Sequence, residues 1–343
     1  MRLPAYALLQ MADQDRARIE AQSKGNTRWT MVHAGDAPST QIKLMRNSRP
    51  TVLYRGQNRH FDPCWPSICR GFQQNTHLVA DLDPIDRARL LRGLALNNWF
   101  YDELAKHPMM KWAQSEGIFL DATAIAQHYG IPTGYMDASE SFEVSVFFAT
   151  CRYVPKTASW EPMTKGEGVM FRLHVDAVDE RAPPICYQPF PRPSQQWAWT
   201  VELRLGEDFL QEPMLQAFRF EHDASVGEEI LRRFGGGPRL LPPDPTARLA
   251  QSMCVASEIP LVYVEQAEAQ LAEDASGVPA HEAKTIRTTL QEALKVSLSN
   301  TSAVSYTREE LAAAEGEWAK YSHEFYRGVG FHIVRTRLDG NEV

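Results

Sequence analysis

Cysteine is scarce in this chain. Five occur, at 64, 69, 151, 186 and 254. The number is odd and the spacings fit no zinc ribbon or finger, so reduced thiols are the expectation. Long apolar runs are missing too: nothing approaches the ~20 residues of a membrane span. The opening MRLPAYALLQMADQD has one arginine and a short apolar stretch that runs quickly into acids. That does not read as a signal peptide, and the expectation is a cytoplasmic protein with no membrane segment. An overall basic excess is also lacking. The formal net charge is -7, which argues against a surface coated for nucleic acid. Several sequence signatures are missing as well: the dinucleotide glycine fingerprint, the phosphate-loop lysine, HExxH and GxSxG. The triplet GGG at 235–237 lacks the downstream lysine and serine of a phosphate loop. His60, His77 and His107 are scattered, and no metal is expected.

What is there is a 343-residue chain, 43% hydrophobic and 23% charged, enough for one large or two ordinary domains. Its charge is uneven. Residues 1–60 hold ten Arg or Lys against four Asp or Glu, a balance compatible with a small anionic ligand.

The patterning predicts an α+β protein with strands and helices interleaved but not regularly alternating. Residues 1–50 are weakly patterned, and HAGDAPSTQ (33–41) reads as a turn or loop. TVLYRG (51–56) reads as a strand. Residues 83–100 form a helix that Asp83 caps and Pro84 starts. Further helices are expected over 101–117 and 121–129, the latter closed by Gly130 and Pro132. A buried helix follows at 140–154, with Ser139 or Ser141 as its cap. Strands are expected at 166–175, 197–203 and 215–222, a strand or a short buried segment at 259–264, and a helix over 225–237. Residues 265–325 should be mostly helical, with Thr307 and Glu310 as a capping box, followed by a last strand at 330–336. Three parts result: an N-terminal segment 1–45, an α+β domain 46–264, and a helical C-terminal region 265–343. Trp318, Tyr321 and Phe325 share one helical face that packs on the domain or on a second protomer, so a monomer or a homodimer is expected.

Four polar stretches stand out. In LYRGQ (53–57), Arg55 offers a planar fork of donors to a diphosphate or carboxylate, Gly56 permits close approach and Gln57 adds an amide. An arginine that pairs with a buried aspartate to brace a loop is the competing reading. In QHYGIPTGYMD (127–137), His128, Thr133 and Asp137 sit on a constrained loop, with Ser139 just beyond. They suit either a site or a network tying a helix end to a sheet. In RPSQQWAWT (192–200), Arg192, Gln195 and Gln196 precede a tryptophan strand able to supply a stacking face. In FRFEHD (218–223), Glu221 ends a strand, where it could bond a ribose hydroxyl, act as a base, or simply face solvent.

These stretches resemble the FRG domain family, named for an aromatic-Arg-Gly motif. Tyr54, Arg55, Gly56 and Gln57 match that motif. Pro66, Ser67, Ile68 and Arg70 match a following P-S-I-x-R element. The most specific block is 124–150, matched through Ala126, Gln127, His128, Gly130, Pro132, Thr133, Asp137, Phe147, Phe148 and Ala149. The chain departs from the family at Gly134, where arginine is usual, at Ala138, where tryptophan is usual, and at Glu143, where proline is usual. RPSQQWAWT is a looser match to a late block, through Arg192 and Gln196. The resemblance extends over about 50–200.

The resemblance implies, by fold-level analogy, a mixed split sheet like that of ADP-ribosyltransferases, with NAD as substrate. It implies that Arg55 holds the diphosphate, with Gly56, Gln57, Arg70, His128, Thr133, Asp137, Ser139 and Arg192 as further cofactor-binding residues. Glu221, Gln195 and Gln196 compete, with Glu202, for the late catalytic role. It implies NAD-dependent ADP-ribosyl transfer or NAD cleavage in bacterial or phage conflict. The acceptor, protein or nucleic acid, is not read from the sequence. The alternative is a non-enzymatic module binding a nucleotide or a nucleic-acid end.

Overall fold

The computed structural model describes residues 2–23, 29–34, 41–46, 50–73, 76–178, 185, 189–273, 282–327 and 329–331, the backbone alone for 21–23, 29–34, 41–46, 178, 273, 283 and 323–331. Residues 35–40 of the loop expected at 33–41, Cys186, the strand residues 332–336 and the side chains of Phe325 and its C-terminal neighbours lie outside that description, and 33, 34 and 41 belong to strands.

The weakly patterned N-terminus contains a helix, α1 (Ala5–Ser23). It buries Leu8 and Ala12 completely, in one cluster with Phe147 and Phe220. Two short strands follow, β1 (Trp29–Ala34) and β2 (Gln41–Arg46). β3 (Val52–Gln57) is the strand expected around LYRGQ. α2 (Pro84–Leu104) starts as the sequence indicates, Asp83 accepting from the amides of Ile85 and Asp86. It runs past the expected end at 100, and a new helix, α3 (Pro108–Ser115), begins at the next proline. α4 (Ala122–His128) is capped by Asp121 and stops where Gly130 takes φ +87°.

β4 (Tyr135–Ser139) leads into α5 (Phe142–Thr150), capped by Ser141. The helix expected over 140–154 is shorter than that, because the chain turns into a hairpin of β5 (Cys151–Val154) and β6 (Ser159–Pro162). β7 (Glu167–His174), α6 (Val175–Val178), α7 (Pro191–Gln195), β8 (Ala198–Glu202), β9 (Gln216–Glu221) and α8 (Ala224–Arg233) complete the first two thirds. Beyond them come α9 (Pro245–Val255), β10 (Glu258–Pro260), α10 (Leu261–Glu273), α11 (Ala283–Glu292), β11 (Ser297–Ser299), α12 (Arg308–Arg327) and β12 (Val329–Phe331). The strand or buried segment expected at 259–264 is mostly the start of α10; only Ile259 and Pro260 fall in β10.

The central sheet has five strands in the order β8-β4-β3-β7-β9, antiparallel at every junction. Parallel pairing occurs only outside it, β1 with β12 and β10 with β11, among the described strands. One face buries Leu53, Met136, Phe171, Trp199 and Phe209. The other packs Met170 and Phe220 against α5 and α1 through Phe147, Val146 and Leu8. A second, helical core joins α2, α3 and α4 to α9–α12, with Trp99, Phe100, Leu249, Leu290 and Trp318 in one cluster. The C-terminal region therefore shares a core with the helices that carry the AQH block.

One junction in the sheet is unusual. β3 pairs with β7 over six residues but touches β4 at a single register point, Tyr54 opposite Ser139. Continued in antiparallel register, Gly56 would face Asp137. The strands instead splay, and a cleft opens between them.

Candidate functional site

The splay begins with Gly56. A Cβ built there would stand 1.7 Å from the Ser145 carbonyl oxygen and 2.9 Å from the Ala149 Cβ. This glycine lets α5 lie directly on β3, and it also lines the cleft described below. Asp137 lacks a ladder partner on the β3 side. The Arg55 guanidinium supplies one, Nη1 donating to the Asp137 carbonyl at 2.6 Å and standing 3.9 Å from its Oδ2. Only 10% of the Arg55 side chain reaches solvent. Arg55 is thus largely the brace between splayed strands that the competing reading described.

Asp137 is fixed from the other side as well. Gln127 on α4 donates its amide to Oδ2 at 3.1 Å. The Gln127 oxygen accepts from Ser67 at 3.0 Å and from Thr133 at 2.5 Å. Ser67 Oγ also receives the Thr133 amide, and Thr133 Oγ1 the Tyr135 amide. Thr133, 1% exposed, positions Gln127 rather than meeting a ligand. Ser139 is similarly tied, donating to the Gln196 carbonyl and accepting from the Ser141 amide. His128, at the last turn of α4, stands with Nε2 3.5 Å from Asp137 Oδ1 and Nδ1 2.9 Å from Gln196 Oε1.

Around this scaffold lies a cavity of about 270 Å³. Arg55, Gln57, Arg70, His128, Asp137, Ser139 and Gln196 all reach its lining. A second cavity of about 320 Å³ adjoins it, sharing Gln57, Phe61 and Arg70 and adding Arg59. Across both linings the charged residues are Arg55, Arg59, Arg70 and Arg152 against the single carboxylate of Asp137. On a chain of net charge -7 this is a concentrated positive cleft. Arg70 stands where the cavities meet. It reaches solvent, yet the protein around its guanidinium, and then the like charge of Arg55, lower its pKa from the ordinary arginine value. Among the described residues its guanidinium makes no hydrogen bond or ion pair. Tyr54, Phe148, Tyr153 and Trp160 add ring surface, the last two paired across the β5–β6 hairpin. Cys151 also lines the cleft, but burial pushes its thiol up to about 11, which leaves little thiolate to act as a nucleophile.

Residues 50–158 match the FRG domain family. The match takes in β3, α4, β4 and α5, and with them Arg55, Arg70, Gln127, His128, Thr133 and Asp137. It is shorter than the 50–200 read from the sequence, so the late block at 192–200 falls outside the FRG segment. No curated protein and no solved structure matches the chain.

Four residues read as candidate site members stand elsewhere. Glu221, at the outer edge strand β9, faces solvent beside Arg2 with its side chain 81% exposed, and does not line the FRG cleft. Gln195 lines a separate cavity under α1 and α8, where Arg16, Arg232 and Arg233 are paired with Glu143 or Glu229 and Arg239 donates to the Arg233 carbonyl. Arg192 lies over the Tyr129 ring at 4.8 Å, with Nε 4.0 Å from Asp244, behind α4. Glu202 is on β8 opposite Tyr135, also outside the lining. Of the residues named for the late catalytic role, Gln196 alone reaches the cleft. Its Nε2 donates to the Leu240 carbonyl at 3.0 Å.

The sequence reading missed the hairpin rings and Arg152. Tyr153 and Trp160 flank the turn at 155–158, and that pairing was the available signal. It was hidden because 140–154 was read as one helix. Among the described residues no cluster of His, Cys, Asp and Glu is arranged to hold a metal ion, and no helix is long and apolar enough to cross a membrane.

Proposed function

We propose that the FRG cleft binds a nucleotide with its phosphates at Arg70, and that the ligand is NAD, cleaved at the bond between nicotinamide and ribose. The observation that carries the reading is Arg70: a guanidinium without a hydrogen bond or ion pair among the described residues, beside a second arginine, at the waist of two adjoining cavities. A diphosphate suits that waist, because two anionic groups offset the repulsion between the guanidinium groups. The cavities on either side have room for the two halves of a dinucleotide, and the rings of Tyr153, Trp160 and Phe148 offer stacking faces.

In this reading Asp137, the one carboxylate in the lining, takes the late catalytic role for which the sequence left Glu221, Gln195, Gln196 and Glu202 competing. As the bond to nicotinamide breaks, its electron pair neutralises the pyridinium nitrogen and positive charge grows on the ribose. A carboxylate held by Arg55 and Gln127 is preorganised to face that charge. Water or an acceptor nucleophile then bonds to the anomeric carbon and gives up its proton. Incubation with NAD and cell extract, followed by mass spectrometry for free nicotinamide and for ADP-ribose adducts, tests the reading. Absence of turnover together with absence of NAD binding by calorimetry would overturn it.

The position of Glu221 outside the cleft favours a second reading, a nucleotide-binding module that performs no chemistry. Saturable NAD or ADP binding without released nicotinamide is its expected signature.

A further inference from the structure

Gln196 lies outside the FRG match, yet it fixes the proton positions of a residue inside it. Its amide nitrogen is committed to the Leu240 carbonyl, so the atom facing His128 Nδ1 is the oxygen Oε1. An oxygen there accepts only; Nδ1 must therefore carry a proton. That leaves Nε2 facing Asp137 Oδ1 at 3.5 Å. Both atoms are sealed from solvent, and neither has a hydrogen-bond partner among the described residues. A neutral imidazole and a carboxylate would present two lone pairs to each other in a dry space, an arrangement that costs the full desolvation of both.

We propose that a proton occupies this gap. His128 carries hydrogens on both ring nitrogens, Nδ1 donating to Gln196 and Nε2 donating to Asp137 Oδ1. The other charged groups facing the pair are Arg55 and Arg70, both on the Asp137 side. On α7, Arg192 turns instead to Tyr129 and Asp244. Two guanidinium groups beside the carboxylate favour the negative charge on Asp137 and the shared proton on the ring. Gln196 is a positioning residue in this scheme, acting through His128. The consequence for chemistry is that Oδ1 is committed to His128, and Asp137 meets a ligand through Oδ2. Only that last step rests on the nucleotide reading; the proton position stands without any ligand.

Nitrogen-15 spectra of the full-length protein labelled at its ten histidines, with His128→Gln to assign the resonance, test the proposal without ligand or turnover. In the wild type near neutral pH, both His128 nitrogens should show one-bond couplings to hydrogen. In Asp137→Asn the Nε2 signal should move to the position of a bare nitrogen while Nδ1 keeps its proton, since an amide can donate to Nε2. Gln196→Leu should free Nδ1–H to exchange with water. A bare Nε2 in the wild type overturns the proposal, as does an Nε2 that stays protonated in Asp137→Asn. An Nδ1 proton unaffected by Gln196→Leu removes Gln196 from the scheme. Should either variant fail to fold, the wild-type spectrum decides alone.

Discussion

The Tyr129 hydroxyl donates to Asp244 Oδ2 at 3.0 Å, joining the end of the site helix α4 to the start of α9, 115 residues later. Asp244 also caps α9 by accepting from the Ala247 amide. Burial raises the pKa of this carboxyl and raises that of the Tyr129 hydroxyl even more strongly. A buried carboxylate that loses one of its donors bears the desolvation cost unrelieved. Tyr129→Phe should therefore lower stability by about 1–3 kcal/mol, although the ring that packs on Phe100 is kept. Urea unfolding of the two proteins measures it. An unchanged midpoint would mean that the bond contributes nothing to joining the two regions.

The same junction predicts the outcome of truncation after Val264. Ala267, Leu271, Ile286, Leu290, Val296, Tyr306 and Trp318 share one core with Trp99 and Phe100 of α2. Each large side chain is worth about 1.5–3 kcal/mol on burial, against a total stability of only about 5–15 kcal/mol for a typical domain. The shortened chain should aggregate or lose cooperative unfolding, as read by light scattering and circular dichroism. A soluble truncated protein with the wild-type melting temperature would make the region an independent appendage.

Gly56→Ala is expected to be among the most damaging single substitutions. The added methyl would meet the backbone of α5 at Ser145, which cannot yield as a flexible side chain would. Overpacking typically costs about 1–3 kcal/mol, and a clash against main chain lies at or beyond the upper end. A thermal melt within 2 °C or so of wild type would show that α5 can shift off β3 at little cost.

These contacts explain which features were legible beforehand. Caps and breakers were readable because they act locally: Asp83 and Pro84 start α2, Thr307 and Glu310 form their capping box, and Gly130 ends α4. That Arg55, Gln127, His128 and Asp137 belong together was readable from their polar stretches, and the structure does bring them into contact. Their division of labour was not, since it depends on strands that splay after one paired residue. Nothing local says that Thr133 turns to Gln127 rather than to a ligand, or that Glu221 ends an outer edge strand. The helix α1 escaped notice because its apolar residues follow no clear periodicity, although Leu8 and Ala12 are fully buried.

Arg55 and Arg70 should separate under mutation. Arg55→Ala removes the donor to the Asp137 carbonyl and leaves Asp137 less restrained, so it should destabilise the fold by roughly 2–4 kcal/mol along with any loss of binding. Arg70→Ala removes a side chain with no partner among the described residues, and its melting temperature should stay near wild type. Its effect should fall on nucleotide affinity, about tenfold or more for each charge-assisted hydrogen bond lost. Lysine at 70 should recover only part, because it lacks the planar fork. Calorimetry with ADP and NAD beside thermal melts distinguishes the two. An Arg70→Ala protein that melts far below wild type would make Arg70 a structural residue.

His107 gives the protein a pH dependence of its own. It caps α3, Nδ1 accepting from the Met109 amide, and its ring packs between Phe190 at 5.0 Å and Tyr306 at 5.5 Å. Burial lowers its pKa to about 4, from an ordinary 6.5. Below pH 6.5 the unfolded chain takes up a proton at this site while the folded chain does not, so stability falls as the pH drops and levels off below 4. The gap corresponds to about 3 kcal/mol at most. Above pH 6.5 the site is neutral in both states and contributes no slope. His107→Asn keeps a capping acceptor without the titration. Its stability should therefore change less between pH 7 and pH 4.5 than that of the wild type, by roughly 2–3 kcal/mol in urea unfolding at the two values. Parallel pH profiles for the two proteins would show that the folded surroundings of His107 admit the proton as readily as water does.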